Sequence, residues 1–389
     1  MSTNKDTVPA GSYAYTDTLK GVFYGPNCVE TALPKLLDTL GAKRALIVTG
    51  KSLRYKTNVV ERIENILKKS NAFGATFSEI GEHTPEAGIE NGVSEFREVG
   101  ADIIVSVGGG SPIDASKAII FRLHEQKVQE TSGQEPEFLR QIAIPTTLSA
   151  AEYSIGAGYT NNQGDKVSVA HQELAPAGII LDAELTLSTP EQLWLSTGMR
   201  ALDHAVESLY RPGVPLPLKK LCLAAIADLF RFLMLSKKDG KDLAARQRLQ
   251  VASWMSLWPR KVEQHSPLGL SHTLGHKLGA TYGIPHGITS CLTLAPVVNL
   301  QAEIASQEDK EYLAEALFYL REPSTGTVDG DVRKLSHMIN SLVQELGLQK
   351  TLSQYGVPTT DIEQIAIRTV GQEDEELLSK VKILLESIY

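Results

Sequence analysis

Residues 101–120, ADIIVSVGGGSPIDASKAII, decide the fold. Ile103 to Val107 is a short apolar run with β-branched side chains, the pattern of a strand buried on both faces. Gly108, Gly109, Gly110 and Ser111 follow, and Pro112 opens a helix carrying Asp114, Lys117 and Ala118. A buried strand, a glycine turn and a helix make one unit of a parallel sheet. The unit recurs on both sides. Arg44 to Thr49, RALIVT, ends at Gly50, and residues 52–69 show helical spacing through Val59, Ile63, Ile66 and Leu67. Phe73 to Ile80 is another strand candidate. Thr84 caps, and Pro85 enters, a helix running to about Val99. Residues 140–144, RQIAI, close on Pro145–Thr146–Thr147, and Ile179 to Asp182 is the last strand. Residues 1–20 are a loose lead-in with at most one short strand.

In such sheets ligands sit at the carboxyl ends of the strands. Gly50, the Gly108–Ser111 run and Thr146–Thr147 all fall there. Glycines let the backbone approach a pyrophosphate, and the next helix offers its unpaired N–H groups and positive dipole end. A GGGS run alone describes an ordinary tight turn equally well; its place after a buried strand and before Pro112 favours the phosphate reading. The spacing is neither GxGxxG nor the P-loop pattern.

After Asp182 the character changes. Thr189–Pro190–Glu191–Gln192 reads as a capping box. From there helical patterns cover 190–210, 217–235, 241–259, 266–282, 287–304, 309–320, 331–347, 360–369 and 373–388, with loops at 211–217 and 323–331. The boundary falls near residue 185, giving an α/β unit over 1–185 and a helical unit over 186–389. A net charge of −8, a pI near 5.7 and the lack of a long basic run argue against nucleic acid as the main partner. The three cysteines, Cys28, Cys222 and Cys291, are odd in number and far apart, so they read as reduced. No stretch reaches the roughly 18 apolar residues of a membrane span, and no apolar signal core opens the chain. The expectation is a cytoplasmic enzyme with a small-molecule substrate and no membrane partner.

Two stretches of the helical half carry chemistry. GLSHTLGHKLGATYGIPHG, 269–287, holds His272, His276 and His286. His272 and His276 share a helix face, and a helix end near Gly283 returns His286 to its mouth. Imidazole ligates metals and carries protons near neutral pH; core packing and a loop position would account for the same residues. In GMRALDHAVESLY, 198–210, Arg200 and His204 lie one turn apart. Trp254 and Trp258, four apart, suit core packing or an interface.

These two stretches, with VGGGSPIDASKAI and IPTTLSAAEYS, resemble the iron-containing alcohol dehydrogenase superfamily, most of all its maleylacetate reductase branch, in order over about residues 20–300. The resemblance implies an N-terminal dinucleotide-binding domain, an all-α C-terminal domain and a cleft between them. It places Gly108, Gly109, Gly110 and Ser111 along a pyrophosphate with Asp114 nearby. It puts Thr146, Thr147 and Ser149 on the adenosine or diphosphate side, and Lys166 near the ribose. Gly50 stands where NAD-preferring members often carry a ribose-binding aspartate; with Lys51 and Arg54 close by, NADPH is acceptable as well as NADH. A homodimer is compatible.

Metal-dependent members hold a divalent ion with one aspartate and three histidines. The matching histidines are His204, His272 and His286, but Arg200 occupies the aspartate position. A guanidinium has no lone pair to donate. It also repels a dication by roughly 3 kcal/mol per unit charge at about 5 Å and an effective dielectric near 20. No metal is therefore expected. Asp203 is off the shared face. Arg200 either grips an anionic oxygen of the substrate in place of the ion or forms a salt bridge with Asp203 or Glu207. His276 matches the family position beside the nicotinamide and is the first choice for proton transfer, with His204, His272 and His286 as further candidates. The implied reaction is NAD(P)H-dependent, metal-independent reduction of a carbonyl or conjugated C=C of a small anionic substrate, with maleylacetate as the named case. A metal-dependent alcohol dehydrogenase, and a non-redox enzyme or binding protein on the same scaffold, are the alternatives.

Overall fold

The structure, a computed structural model, describes residues 13–81, 86–131, 135–161, 166–258 and 269–389. In chain order the first half forms β1 (Gly21–Tyr24), α1 (Val29–Leu40), β2 (Ala45–Thr49), α2 (Lys51–Lys56), α3 (Val59–Lys69), β3 (Phe73–Phe77) and α4 (Glu86–Glu98). β4 (Ile103–Gly108), α5 (Gly110–Glu130), β5 (Arg140–Pro145), β6 (Gly156–Thr160), β7 (Lys166–Ala170) and β8 (Gly178–Leu181) follow. Six strands make one sheet in the order β1-β8-β5-β4-β2-β3, every pairing parallel. Period-two side chains divide its core. Ala45 and Ile47 of β2 join Val105 and Ile142 against α1 and α3. Leu46 and Val48 turn the other way with Ile104, onto α4 and α5 through Ile89, Val93 and Ile119. Each such aliphatic side chain, fully buried, contributes about 1.5–3 kcal/mol.

Several local expectations are corrected. The helix expected over 52–69 is two, because Thr57 is extended (φ −140°, ψ 167°) and its hydroxyl ties to the Leu53 carbonyl and the Val59 N–H. α2 buries nothing, whereas α3 buries Val59, Val60, Ile63, Ile66 and Leu67, so the apolar stripe stabilises only the second segment. β3 stops at Phe77, short of Ile80, and Glu79 instead forms a single bridge with Gly50. The helix α1 and the antiparallel β6–β7 hairpin have no counterpart in the sequence reading. Thr84 and Pro85 lie outside the described residues.

The second half is helical: α6 (Glu191–Tyr210), α7 (Leu216–Lys238), α8 (Leu243–Ser256), α9 (Leu270–Tyr282), α10 (His286–Ile304), α11 (Gln307–Leu320), α12 (Val328–Glu345), α13 (Ile362–Val370) and α14 (Glu375–Ser387). Trp258 therefore lies beyond α8, though its ring still packs 5.0 Å from Trp254. The capping box does not form. α6 begins at Glu191, and the Thr189 hydroxyl donates instead to the Thr146 carbonyl at 2.7 Å. Every residue of α6 from Trp194 to Leu209 is buried. A helix buried all round must find partners for its polar side chains inside the protein; on α6 the ionisable ones are Arg200, Asp203, His204 and Glu207. Among the described residues no helix is long and apolar enough to cross a membrane.

Candidate active site

The glycine turn joins β4 to α5. Gly108 has φ +140°, a region open to glycine, and a Cβ there would stand 3.1 Å from Pro112 Cγ. The Thr146 N–H donates to the Gly108 carbonyl at 2.8 Å. Cβ positions on Gly109 and Gly110 would meet Thr147 at 3.2 Å and Ser149 Oγ at 3.4 Å, so the loops after β4 and β5 lie side by side. Among the described residues no side chain caps the N-terminus of α5. Its N–H groups and dipole remain for a phosphate. Asp114 lies 3.6 Å from the buried Lys117 ammonium; burial outweighs Lys117 and pushes its carboxyl up to about 6. Lys117 itself donates to Ala151 O, Ser154 Oγ and Gly156 O, which locks α5 to the segment after β5. Lys166 begins β7; its side chain lies outside the described residues. Gly50 precedes α2 with open space at its Cβ position. The two cations beside it are engaged elsewhere. Lys51 pairs with Glu79 at 3.7 Å, and Arg54 donates to Thr76 O and Ser78 Oγ at 2.7 and 3.2 Å.

The loop after β5 reaches into the helical half. Leu148 N–H donates to Thr197 Oγ1 at 3.1 Å, and Ser253 Oγ donates to Leu148 O at 3.3 Å. Thr197 is three residues before Arg200, so one helix ties the glycine loops to the polar cluster.

That cluster is a buried network. Arg200 Nη1 donates to Ser290 Oγ at 3.3 Å and lies 3.9 Å from Asp203 Oδ2. Asp203 Oδ2 accepts from Ser290 Oγ at 2.6 Å and Ser271 Oγ at 3.0 Å. His272 Nδ1 lies 2.7 Å from Glu207 Oε2 and 3.3 Å from Asp203 Oδ1. Glu207 Oε1 accepts from the Ser271 N–H at 2.7 Å and the Tyr210 hydroxyl at 3.2 Å. Gly275 makes room for the guanidinium: a Cβ there would stand 2.8 Å from Thr289 Oγ1 and 3.6 Å from Arg200 Nη1. The four histidines separate into two pairs. His204 and His272 are buried, ring centroids 4.6 Å apart; His276 and His286 are exposed, edge to face at 5.6 Å. Burial first, then His272 and Arg200, hold His204 well below its ordinary value, so it is neutral. Burial and Arg200 oppose a proton on His272, but Asp203 and Glu207 prevail and raise it. Burial disfavours the Asp203 carboxylate, yet His272 and Arg200 hold its pKa below the usual range. Burial also lowers Arg200, against Asp203 and Glu207; a guanidinium stays charged regardless. Arg200 and, when protonated, His272 thus face Asp203 and Glu207. Two buried imidazole nitrogens, His204 Nδ1 and His272 Nε2, have no partner among the described residues.

The same residues bear on whether a divalent ion could sit here, and they point both ways. Ligand atoms of Asp203, Glu207 and His272 lie within 4.8 Å of one another. The Glu207 oxygens and Asp203 Oδ2 are already hydrogen-bonded, so an ion there would compete with those bonds and stand beside the Arg200 guanidinium, whereas Asp203 Oδ1 has no hydrogen-bond partner among the described residues. Ser271 and Ser290 do not stand out in the sequence, and Glu207 does so only as an ion-pair candidate for Arg200. Their signal is spacing: Ser290 is one turn from His286, and Glu207 is seven residues from Arg200 on the same helix.

Residues 20–183 match the family model for iron-containing alcohol dehydrogenase, and residues 194–382 match the model for the C-terminal region of that family. The dehydrogenase FUM7 of Gibberella moniliformis is 30% identical, with 84% of this chain and 85% of the relative covered. The chain belongs to the iron-containing alcohol dehydrogenase family. It is an oxidoreductase of that family. An NAD-dependent methanol dehydrogenase of Bacillus methanolicus is 26% identical, covering 88% of this chain and 87% of its own. A maleylacetate reductase from Agrobacterium tumefaciens shares the iron-containing alcohol dehydrogenase fold with a TM-score of 0.78 at 22% identity, covering 98% of this chain and 99% of that one.

Proposed function

We propose a metal-independent, NAD(P)H-dependent reductase acting on a small anionic substrate, with maleylacetate as the named case. The observation that carries this is Arg200, a buried guanidinium in the ligand-aspartate position, held by Asp203 and Ser290. The Gly108–Ser111 turn and the uncapped start of α5 would hold the cofactor's pyrophosphate, with Thr146, Thr147 and Ser149 beside it and Gly50 and Lys166 toward the adenosine ribose. When bound, the nicotinamide supplies a hydride to an electron-poor carbon. Arg200 takes the charge developing on the substrate oxygen, a task the metal performs elsewhere in the family. His272 Nε2 offers a second buried donor, aligned by Glu207. His276, at the exposed face of α9 beside His286, delivers the proton. We place a dinucleotide-binding domain at 1–185 and a catalytic domain at 186–389, in a cytoplasmic protein able to form a homodimer.

The test is chelator-stripped protein, NADPH or NADH, and maleylacetate, read by nicotinamide absorbance. Oxidation at an unchanged rate supports the reading. Activity that appears only on adding a divalent ion favours the second reading, a metal-dependent alcohol dehydrogenase, for which the closely spaced Asp203, Glu207 and His272 atoms speak. Cofactor binding without turnover of any carbonyl substrate favours a non-redox protein on this scaffold.

A further inference from the structure

A cavity of about 440 Å³ opens between α10, α12 and the end of the chain, on the side of α10 away from His286 and Ser290. Its volume is that of small-molecule sites. Arg333, His337 and Asn340 line it from α12 at four- and three-residue spacing, which is one helix face. Lys350 and Gln349 close it from the loop after α12, and Asn299 from α10. Among the described residues no carboxylate side chain lines it. The side chains of Arg333, His337 and Lys350 make no hydrogen bond or ion pair among the described residues. Two other cavities, each about 390 Å³, differ on this point. One sets Glu130 and Glu137 against Arg97 and Lys127; the other sets Glu363, Glu375 and Glu386 against Lys382. In a chain of net charge −8, cations with no acidic neighbour in the wall of one groove are unusual.

We propose that this groove binds a small phosphate-bearing anion at a second site, separate from the glycine turn. Arg333 presents a planar fork that grips two phosphate oxygens, and Lys350 is a point charge for a second phosphate. The amides of Asn299, Asn340 and Gln349 donate to the remaining oxygens. The cations are exposed, so the attraction is salt-sensitive and rests on several contacts at once. α10 joins the two sites: Asn299 and Ala295 face the groove, while Ser290 on the same helix bonds Arg200 and Asp203.

The probe is inorganic pyrophosphate, titrated calorimetrically into the full chain with and without saturating nicotinamide dinucleotide. Pyrophosphate should still bind when the dinucleotide is present. The double variant Arg333→Gln, Lys350→Gln should weaken that binding at least tenfold, about what two exposed charge contacts supply together. Both positions are exposed, so circular dichroism and dinucleotide affinity should be unchanged. Binding abolished by the dinucleotide, or equal in the variant and the parent, overturns the proposal. A variant that alters the mass in solution and leaves pyrophosphate affinity unchanged also overturns it, and makes the groove a contact between copies. Loss of dinucleotide binding altogether would count against the reductase reading and leave the groove result interpretable.

Discussion

Replacing Arg200 by methionine keeps most of the side-chain volume and removes the guanidinium. At 3.9 Å and an effective dielectric near 20, its attraction to Asp203 is roughly 4 kcal/mol before desolvation is subtracted. Asp203 retains Ser271, Ser290 and the raised, proton-bearing His272. The net loss of stability should therefore be about 2–3 kcal/mol, at or below the low end for a broken buried pair. Catalysis should suffer more, because a preorganised donor at a developing oxyanion is worth about 10²–10³ in kcat. The assay is steady-state nicotinamide oxidation under chelator, with stability followed by denaturant on the same preparations. Arg200→Lys keeps the charge but not the fork, and should fall between parent and methionine variant. A salt bridge of purely structural use would lower stability and leave kcat untouched. That outcome, or a parent enzyme that gains rate on adding a divalent ion, refutes the role given to Arg200.

Arg200→Asp should convert the site to a metal binder, retaining about one divalent ion per chain by elemental analysis, as a carboxylate with imidazoles holds zinc, while the parent retains almost none. Glu207→Gln should destabilise the protein in a pH-dependent way. His272 holds its proton more tightly folded than unfolded, so its contribution is complete below about pH 6.5 and fades as pH rises through the raised value. The loss in the variant should be about 1–3 kcal/mol in mild acid and smaller at alkaline pH, as denaturant titrations at several pH values would show. Gly108→Ala forces φ +140° on a residue with a Cβ 3.1 Å from Pro112; stability should drop about 1–3 kcal/mol, with a raised KM for the dinucleotide and a near-constant kcat. Glu79→Gln frees Lys51 from an exposed pair, so the NADPH over NADH ratio of kcat/KM should rise by up to about fivefold, the scale of such a pair.

The sequence alone carried the architecture. The alternation of buried strands and helices, the glycine turn at 108–111 and the switch to helices without strands after Asp182 depend on local periodicity, and local periodicity survives without coordinates. It also carried the family, since motifs such as GMRALDHAVESLY bear their residues at fixed helical spacing. Tertiary structure decided what those residues do to one another. The sequence could not choose between a free Arg200 and one paired with Asp203. Asp203 enters the site because Ser290 of α10 and Ser271 of α9 converge on it, from positions 87 and 68 residues away. Nor could it divide the histidines. His272 and His276 share a helix, but the packing of α9 against α6 buries the first and leaves the second exposed beside His286. Local reading failed where a distant partner overrode a local preference. Thr189 has the makings of a helix cap, yet its hydroxyl bonds the Thr146 carbonyl 43 residues away, because the loop after β5 is docked against α6. Pattern follows from neighbours in the chain; burial, pairing and charge follow from neighbours in space, and only the folded chain brings those together.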